Sequence, residues 1–343
     1  MTALHIMGTG SYLSANRLDV ATTARSYAGE TERILDTGYH TVSVEESLYP
    51  ADMALIAARR ALVAAGREPR ELSLLVVTSI HRHGHKRLWS PASWLQSQLD
   101  CPQVLPLTVS QGCNGQMLAL ELAQGYLGGT AGGAALIVAA DQFSSSGFDR
   151  FTADYGIVYG DGAAAAVLTM GPEDETAEHR GRHGWRVLGT RSVSAPELEG
   201  LHRGAAPAPE TPELLNAEHD VRAAKKRFLE ENGSDSLKKS TLAAVREIRE
   251  ALLPDGDDPR LRRIVYPNLG LKLLEENYFP EFPGGAFTSL WDFGRTVGHL
   301  GSGDQIAGLD HLARHQKFAV GDRLLLLGAG AGFTWTGTLI ERI

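Results

Sequence analysis

The feature that most constrains the fold of this 343-residue chain is an internal repeat. A helical run at 51–66 leads into the apolar segment 72–78, and a helical run at 240–253 leads into the segment 261–267. The two apolar segments begin 189 positions apart, and a second pair of matching features, around Cys113 and His299, lies 186 positions apart. So steady an offset predicts a duplicated structural unit rather than chance similarity.

The candidate strands of this repeat are short, continuous apolar runs rather than alternating ones. Examples are the segments 72–78, 134–141 and 324–328. Such runs are typical of strands that helices cover on both faces of a sheet. Two α/β halves sharing a central layer of helices predict a five-layer αβαβα sandwich. We place the N-terminal half at 1–170, a linker and inserted cap region at 171–239, and the C-terminal half at 240–343.

Composition argues against several classes of protein. The net charge of −8 disfavours general nucleic-acid binding. No stretch has the uninterrupted apolar length of a membrane span, and the first residues lack a basic region followed by a cleavage site. Two cysteines make no disulfide framework. We therefore expect a cytoplasmic protein, and we find no P-loop, Rossmann fingerprint or zinc-spaced set that would indicate a cofactor or a metal.

Cys113 is the candidate nucleophile. It lies in the segment 110–115, between an apolar run and the helical run 116–127. The N–H groups and positive dipole end of a helix N-terminus favour thiolate over thiol. The repeat places His299 at the matching position of the second half, so a pseudo-twofold axis would bring the two side chains together. A cysteine with a histidine base is a recurring pair in acyl transfer, whereas the alternative, a buried structural cysteine, suits Cys101 better.

Asp304 follows His299 in the first turn of the next helix. Two interpretations stay open for this carboxylate. It orients the imidazole as the third member of a Cys-His-Asp set, or it is an acidic residue favoured by the helix dipole.

Three histidines alternate in the segment 81–86. Because no cysteine or carboxylate is adjacent to complete a ligand set, we expect an exposed loop near the pocket mouth rather than a metal site.

The chain resembles the β-ketoacyl-ACP synthase III branch of the thiolase-like enzymes. The resemblance rests on four segments in order: 6–13, the turn at Cys113, 159–168 and 328–335. It implies a thiolase-like fold, a homodimer, and an oxyanion hole formed by the N–H groups of Cys113 and Gly332. It also places Trp89 where the family inserts an aromatic side chain into the partner subunit's acyl pocket, with plain interface packing as the alternative.

The polar residues around the nucleophile depart from that family. Condensing members use a Cys-His-Asn set, but here Asn268, or Pro267 by a one-residue shift, stands at the place of the family's His. His299 stands at the place of its Asn. Decarboxylative condensation therefore becomes doubtful, and a single His suits removal of a proton from a hydroxyl or amine. We expect Asn268 to be a polar neighbour of that acceptor.

The acyl donor is the second departure. Glu32 and Asp36 stand where the family's coenzyme A enzymes carry a Trp and an Arg, and Arg150 lies close to the third clamp position. We therefore expect a carrier-protein thioester ahead of free coenzyme A. Basic residues that would suit an acidic carrier are plentiful at 222–227, 238–239, 246, 249 and 260–263, with a solvated surface as their default interpretation.

The sequence thus predicts an acyltransferase with ping-pong kinetics in antibiotic or polyketide biosynthesis. It would load an acyl group from a carrier-protein or coenzyme A thioester on Cys113 and pass it to an alcohol or amine. Two alternatives stay open: a starter-unit-selecting, carbon-carbon condensing synthase III, and a non-condensing partner subunit of an active paralogue. The retained Cys113 counts against the last.

Overall fold

The structure, a computed structural model, describes residues 2–81, 88–130, 132–144, 148–172, 184–203, 221–256 and 258–343. Its strands are β1 Thr2–Leu13, β2 Arg17–Asp19, β3 Thr41–Ser43, β4 Leu72–Thr78, β5 Leu105–Val109, β6 Ala134–Asp141, β7 Gly162–Pro172, β8 Trp185–Ser194, β9 Leu261–Val265, β10 Arg323–Gly330 and β11 Thr334–Arg342. Its α-helices are α1 Val20–Ala24, α2 Thr31–Leu35, α3 Pro50–Ala65, α4 Pro91–Gln98, α5 Gly115–Gly128, α6 Gly200–Arg203, α7 Val221–Asn232, α8 Ser236–Leu252, α9 Leu271–Asn277, α10 Gly285–Thr288, α11 Trp291–Val297 and α12 Asp304–His315. Short 3₁₀ turns occupy Pro69–Glu71, Pro196–Leu198, Phe279–Glu281 and Gly301–Gly303.

The main sheet repeats one strand order in the two halves of the chain. Its order is β5-β4-β6-β7-β1-β8-β11-β10-β9, while β2 and β3 form a separate hairpin. The halves meet where β1 and β8 pair over two residues, His5 with Arg186 and Ile6 with Trp185. Outward from that contact, the N-terminal half presents β1, β7, β6 and β4, and the C-terminal half presents β8, β11, β10 and β9. In both halves these are the first, last, next-to-last and second strands that the half contributes to the main sheet. The predicted duplicated fold is thereby confirmed.

Helices divide the molecule into five layers. The helices α5 and α12 contact strands of both halves and form the central layer. On the outer faces, α3 covers β1, β6 and β7, and α8 covers β8 and β11. This arrangement is the predicted αβαβα sandwich, and it places the N-termini of α5 and α12 in the middle of the molecule.

Alternate strand residues pack into different layers. In β4, Leu74 and Val76 belong to the central core, whereas Leu75 and Val77 pack beneath the outer helix α3. Because both faces of the strand are buried, every position along it favours an apolar residue. This explains why the strand appears in the sequence as a continuous apolar run.

The C-terminal half begins earlier than the sequence predicts. The strand β8 pairs with β11 from Ser194 opposite Thr334 to Trp185 opposite Arg342, so it belongs to the second half. It lies inside the segment 171–239 that we assigned to a linker and cap, and the predicted boundary at 240 is therefore wrong. The pattern hid this strand because polar and partly exposed residues interrupt it.

Candidate active site

Two glycine-containing turns meet at Cys113. The turn before α5 needs a left-handed residue, and Gly112 supplies it with a φ of 52°. A Cβ on Gly112 would lie 3.0 Å from the amide nitrogen of Ala331, and a Cβ on Gly330 would lie 2.4 Å from that of Asn114. The absence of side chains thus lets the loop after β10 lie directly against the nucleophile turn. Within this turn Cys113 stays partly exposed, whereas Cys101 is buried.

His299 lies within hydrogen-bond distance of the Cys113 sulfur. Its Nε2 is 3.0 Å from Sγ, and its Nδ1 is 2.5 Å from Oδ2 of Asp304. The backbone of His299 is fixed on both sides, since its N–H donates to Val158 and its carbonyl accepts from Gly160, both at 2.9 Å. Imidazole and carboxylate are each only 1% exposed. The three side chains therefore form one hydrogen-bonded line, which runs from the partly exposed sulfur to a buried imidazole and a buried carboxylate.

Asn268 supports the carboxylate instead of facing an acceptor. Its backbone N–H donates to Asp304 Oδ2 at 2.7 Å, and its Nδ2 donates to Oδ1 at 3.1 Å and to the carbonyl of Gly298 at 3.0 Å. The N–H of Leu300 adds a further bond to Oδ1 at 2.7 Å. Our prediction that Asn268 adjoins the acceptor is wrong, because its amide is occupied in holding Asp304.

Electrostatics favour an imidazolium beside the sulfur. Burial alone lowers the pKa of His299, but the negative charges of Asp304 and of the Cys113 sulfur outweigh it and hold that pKa well above its ordinary value. The ring of Tyr159 lies 5.3 Å from the imidazole. Burial and the nearby Asp154 raise the pKa of Tyr159 well above its usual range, so this neighbour stays neutral.

A cavity of about 420 Å³ leads from Cys113 and His299 to the surface. Its aromatic lining consists of Tyr155, Tyr159, Tyr278, Phe333 and Trp335, and its polar lining includes Asp235, Lys238 and Glu276. The described part of the predicted cap contributes Lys225 and Leu229 to the wall. Such a cavity, mostly apolar with a few polar groups, suits a small organic substrate.

Sequence reasoning missed an ion pair on the cavity wall. Lys225 Nζ lies 2.6 and 2.7 Å from the two carboxylate oxygens of Asp154, and the hydroxyl of Tyr159 donates to the same carboxylate at 3.1 Å. The two charged residues are 71 positions apart and belong to no motif. Only the folded chain brings them together.

Two residues assigned by resemblance are not part of the cavity wall. Gly330, Ala331 and Phe333 line the cavity, whereas Gly332, between Ala331 and Phe333, does not. The role of the Gly332 amide as the second oxyanion donor stays a prediction, and the amide of Ala331 lies in the same loop. Trp89 packs near Trp94, with ring centroids 6.3 Å apart, and it is not part of its own chain's cavity wall. A contact between Trp89 and a partner subunit stays a prediction.

Arg150 does not act as a nucleotide clamp. Its guanidinium is 8% exposed and lies 3.0 Å from Asp161, which is fully buried. It also donates to the carbonyl of Tyr159 at 2.8 Å. Glu32 and Asp36, by contrast, are exposed and carry the charge that repels phosphate. The structure therefore offers no exposed cation at the three positions, Glu32, Asp36 and Arg150, where the resemblance led us to look for coenzyme A contacts.

Within the described ranges, no cluster of three or more His, Cys, Asp or Glu side chains is arranged to hold a metal. Of the alternating histidines, His83 and His85 lie outside the described residues. No helix in the described part of the chain is long and apolar enough to cross a membrane.

Comparisons with known proteins agree with this fold. Models of the family 3-oxoacyl-[acyl-carrier-protein] synthase III match residues 107–182 and, for its C-terminal part, 287–342. The β-ketoacyl-[acyl-carrier-protein] synthase III of Aquifex aeolicus is 25% identical over 98% of both chains. A solved structure described as "ChlB3 [Aceyltransferase]" is 31% identical, covers 99% of this chain and 97% of its own, and superposes with a TM-score of 0.85.

The priming β-ketosynthase of the R1128 polyketide pathway is 22% identical, with a TM-score of 0.73 over 99% of this chain and 96% of its own, a likeness of fold alone. The extent of the matches to ChlB3 and to the curated synthases places the chain in a family. It belongs to the β-ketoacyl-ACP synthase III-like family of the thiolase superfamily, and it is an enzyme of this acyl-transferring class.

Proposed function

We propose that this protein is an acyltransferase that passes an acyl group from a thioester, through Cys113, to an alcohol or amine in specialised-metabolite biosynthesis. The observation that carries the proposal is the line Cys113–His299–Asp304, with 3.0 Å between sulfur and imidazole and 2.5 Å between imidazole and carboxylate. Among the described residues, His299 is the one polar side chain within hydrogen-bond distance of the sulfur. That arrangement serves proton transfer better than stabilisation of a carbanion.

The first half-reaction loads the enzyme. The Cys113 thiolate attacks the thioester carbonyl, and the developing oxyanion is met by the backbone N–H of Cys113 and by one from the loop that holds Ala331 and Gly332. The bond from the carbonyl carbon to the donor sulfur then breaks, and the His299 imidazolium gives its proton to the departing thiolate. The products are acyl-Cys113, a free thiol and a neutral imidazole.

The second half-reaction unloads it. Acylation removes the negative charge of the Cys113 sulfur, which is one cause of the raised pKa of His299. The neutral imidazole accepts the proton of the acceptor hydroxyl or amine as that group attacks the acyl carbon. Collapse of the tetrahedral intermediate breaks the bond from carbon to Cys113, and the sulfur leaves as a thiolate beside the imidazolium. Asp304 holds the imidazole in one orientation throughout.

The donor fits a carrier protein better than free coenzyme A, because Arg150 is buried against Asp161 and two helices that line the cavity carry exposed cations. Arg227 on α7 and Lys239 on α8 are exposed, and both helices supply residues to the cavity wall. These cations suit the acidic face of a carrier.

A homodimer is the expected assembly. The strand β5 is the outermost strand of its half, and Leu105 and Leu107 on it are exposed. An uncovered apolar edge strand is a ready site for pairing. Light scattering of the purified protein tests the mass, and a monomer at micromolar concentration would refute this assembly.

The condensing alternative is favoured by the names of the curated relatives, which are β-ketoacyl-ACP synthases. Condensation needs two polar groups facing the nucleophile, to stabilise the carbanion left when malonyl loses carbon dioxide. Here the Asn268 amide is bonded to Asp304 and Gly298 instead. The site therefore favours transfer to a heteroatom.

Intact-protein mass spectrometry tests the proposal. The enzyme is mixed with a panel of acyl thioesters, and we expect a mass increase of one acyl group that Cys113→Ala abolishes and Cys101→Ala retains. The buried Cys101 is a matched control for thiol reactivity. An enzyme that stays unmodified by every thioester, on N-acetylcysteamine, coenzyme A and a carrier protein alike, would contradict the proposed function.

A further inference from the structure

The Lys225–Asp154 ion pair lies on the cavity wall, where the two half-reactions give it no role. Lys225 comes from α7, and both side chains line the cavity. They are nearly buried, at 10% and 2% exposure. Removing two charges from water costs about as much as their attraction returns, so stability alone is a weak reason for the pair. A few polar groups in an apolar cavity more often fix the orientation of a ligand.

The pair presents a fixed hydrogen-bond donor. An ammonium group has three N–H donors, and the two contacts with Asp154 leave a third. The carboxylate is fully occupied, because it also accepts from the N–H of Tyr155 at 2.7 Å and from the hydroxyl of Tyr159 at 3.1 Å. Since the carboxylate cancels the charge of Lys225, the site favours a neutral oxygen over an anion.

The donor lies close to the reacting atoms. The hydroxyl of Tyr159 bonds to Asp154, and the ring of the same tyrosine lies 5.3 Å from the imidazole of His299. One tyrosine side chain thus separates Lys225 and Asp154 from the group that accepts the proton. A small molecule can therefore place one oxygen at His299 and another at Lys225.

We propose that Lys225, held in place by Asp154, is a specificity-determining residue that binds a second, neutral oxygen of the acceptor. The acceptor class is then an alcohol with further oxygen atoms, such as a polyol, rather than a hydrocarbon alcohol. This inference rests on the proposed function, since it concerns the second half-reaction.

The test uses isolated enzyme that carries an acyl group on Cys113. Intact-protein mass spectrometry follows the loss of that acyl group. Acceptor probes are the α,ω-diols from 1,3-propanediol to 1,6-hexanediol, each paired with the monoalcohol of equal chain length. We expect at least one diol to release the acyl group about 10-fold faster than the monoalcohol of equal chain length. A factor of about 10 is what one additional hydrogen bond to a charged donor contributes. The double variant K225M with D154N, which leaves no unpaired buried charge, is expected to bring that ratio close to one.

Arg222→Met is the matched control. Arg222 forms another ion pair of α7, to Glu30 at 2.9 Å, and does not line the cavity. We expect this variant to keep the diol preference. The proposal is overturned if the wild-type enzyme shows no preference for diols, or if K225M with D154N keeps that preference. It is also overturned if R222M loses the preference equally, because the Lys225–Asp154 pair would then only tether α7. Slower acylation of Cys113 in K225M with D154N, with an unchanged ratio of diol to monoalcohol rates, would mean that Lys225 binds an oxygen of the acyl donor. That result would also overturn the proposal. No adduct on wild type would instead refute the proposed function.

Discussion

The imidazole of His299 lies between two negative charges, and this position governs its behaviour at the scale of single residues. Asp304 and the Cys113 sulfur together outweigh the effect of burial and raise the pKa of His299. In the proposed cycle, the same ring therefore begins as an acid and becomes a base once the sulfur is acylated.

A titration of His299 by NMR checks this sign. Because the pKa in the folded protein is raised, the ring should stay protonated above about pH 6.5, the ordinary value. Both Cys113→Ala and Asp304→Asn should lower it, since each removes a negative neighbour. Acylation should slow as pH rises through the raised pKa, because the proton donor for the leaving thiol is lost. An unshifted pKa in wild type would argue against the ion pair.

Asp304→Asn should impair acyl transfer by roughly 10²- to 10⁴-fold, the range seen when a positioned base loses its orienting carboxylate. The rate of adduct turnover measures this effect. Asp310→Asn is the control, since Asp310 lies on the same helix but bonds to Ser11 and Thr9. We expect that change to affect stability and to spare transfer; equal losses of transfer in both variants would indicate a merely structural role for Asp304.

The pairing of Cys113 with His299 could be predicted because the repeat fixes equivalent positions in both halves. The role of Asn268 could not, since it depends on which way one amide side chain points. The same limit hid Lys225 and Asp154, whose contact depends on how α7 packs over the cavity.

At the scale of elements, the approach of two loops forms the nucleophile turn. The loop after β10 and the turn before α5 come together only where glycine replaces a side chain, as at Gly330. The strands that carry these loops were visible in the sequence as continuous apolar runs. The strand β8 was not, because its exposed face selects polar residues.

Gly330→Ala should damage both stability and chemistry. Its Cβ would lie 2.4 Å from the Asn114 nitrogen, so the turn must shift, at an expected cost of about 1–3 kcal/mol in the free energy of unfolding. Gly125→Ala on α5 is the control, since no atom lies within 4 Å of its added Cβ and alanine favours helix by about 0.5–1 kcal/mol. Denaturant titration and adduct yield measure both. A Gly330→Ala protein with wild-type adduct yield would show that the loop contact is dispensable.

At the scale of the whole molecule, the proposed choice of donor depends on the charge carried by α7 and α8. The chain carries a net charge of −8, so the exposed cations Arg227 and Lys239 stand against an acidic background. The five-layer fold could be predicted from the repeat, but this part of the cavity wall could not, because α7 and α8 reach it only in the folded chain.

Charge reversal tests the donor. Arg227→Glu with Lys239→Glu should lower kcat/KM for a carrier-bound thioester by about 10-fold, and less at high salt, because long-range attraction is screened. The N-acetylcysteamine thioester, which lacks a carrier, should react as before. Arg67→Glu, which removes a partly exposed pair with Glu71 in the N-terminal half, serves as control because Arg67 is not among the basic residues considered for carrier binding. Equal losses with both donors would rule out a carrier-docking role.

In the proposed function, acyl-Cys113 is unloaded to a heteroatom rather than to carbon. The most direct test is carbon dioxide release from a malonyl thioester labelled at the free carboxyl carbon, mixed with isolated acyl-Cys113 enzyme. We expect no labelled carbon dioxide above the Cys113→Ala background, while alcohols or amines still remove the adduct. Release of labelled carbon dioxide in step with loss of the adduct, with a β-ketoacyl product, would contradict the account.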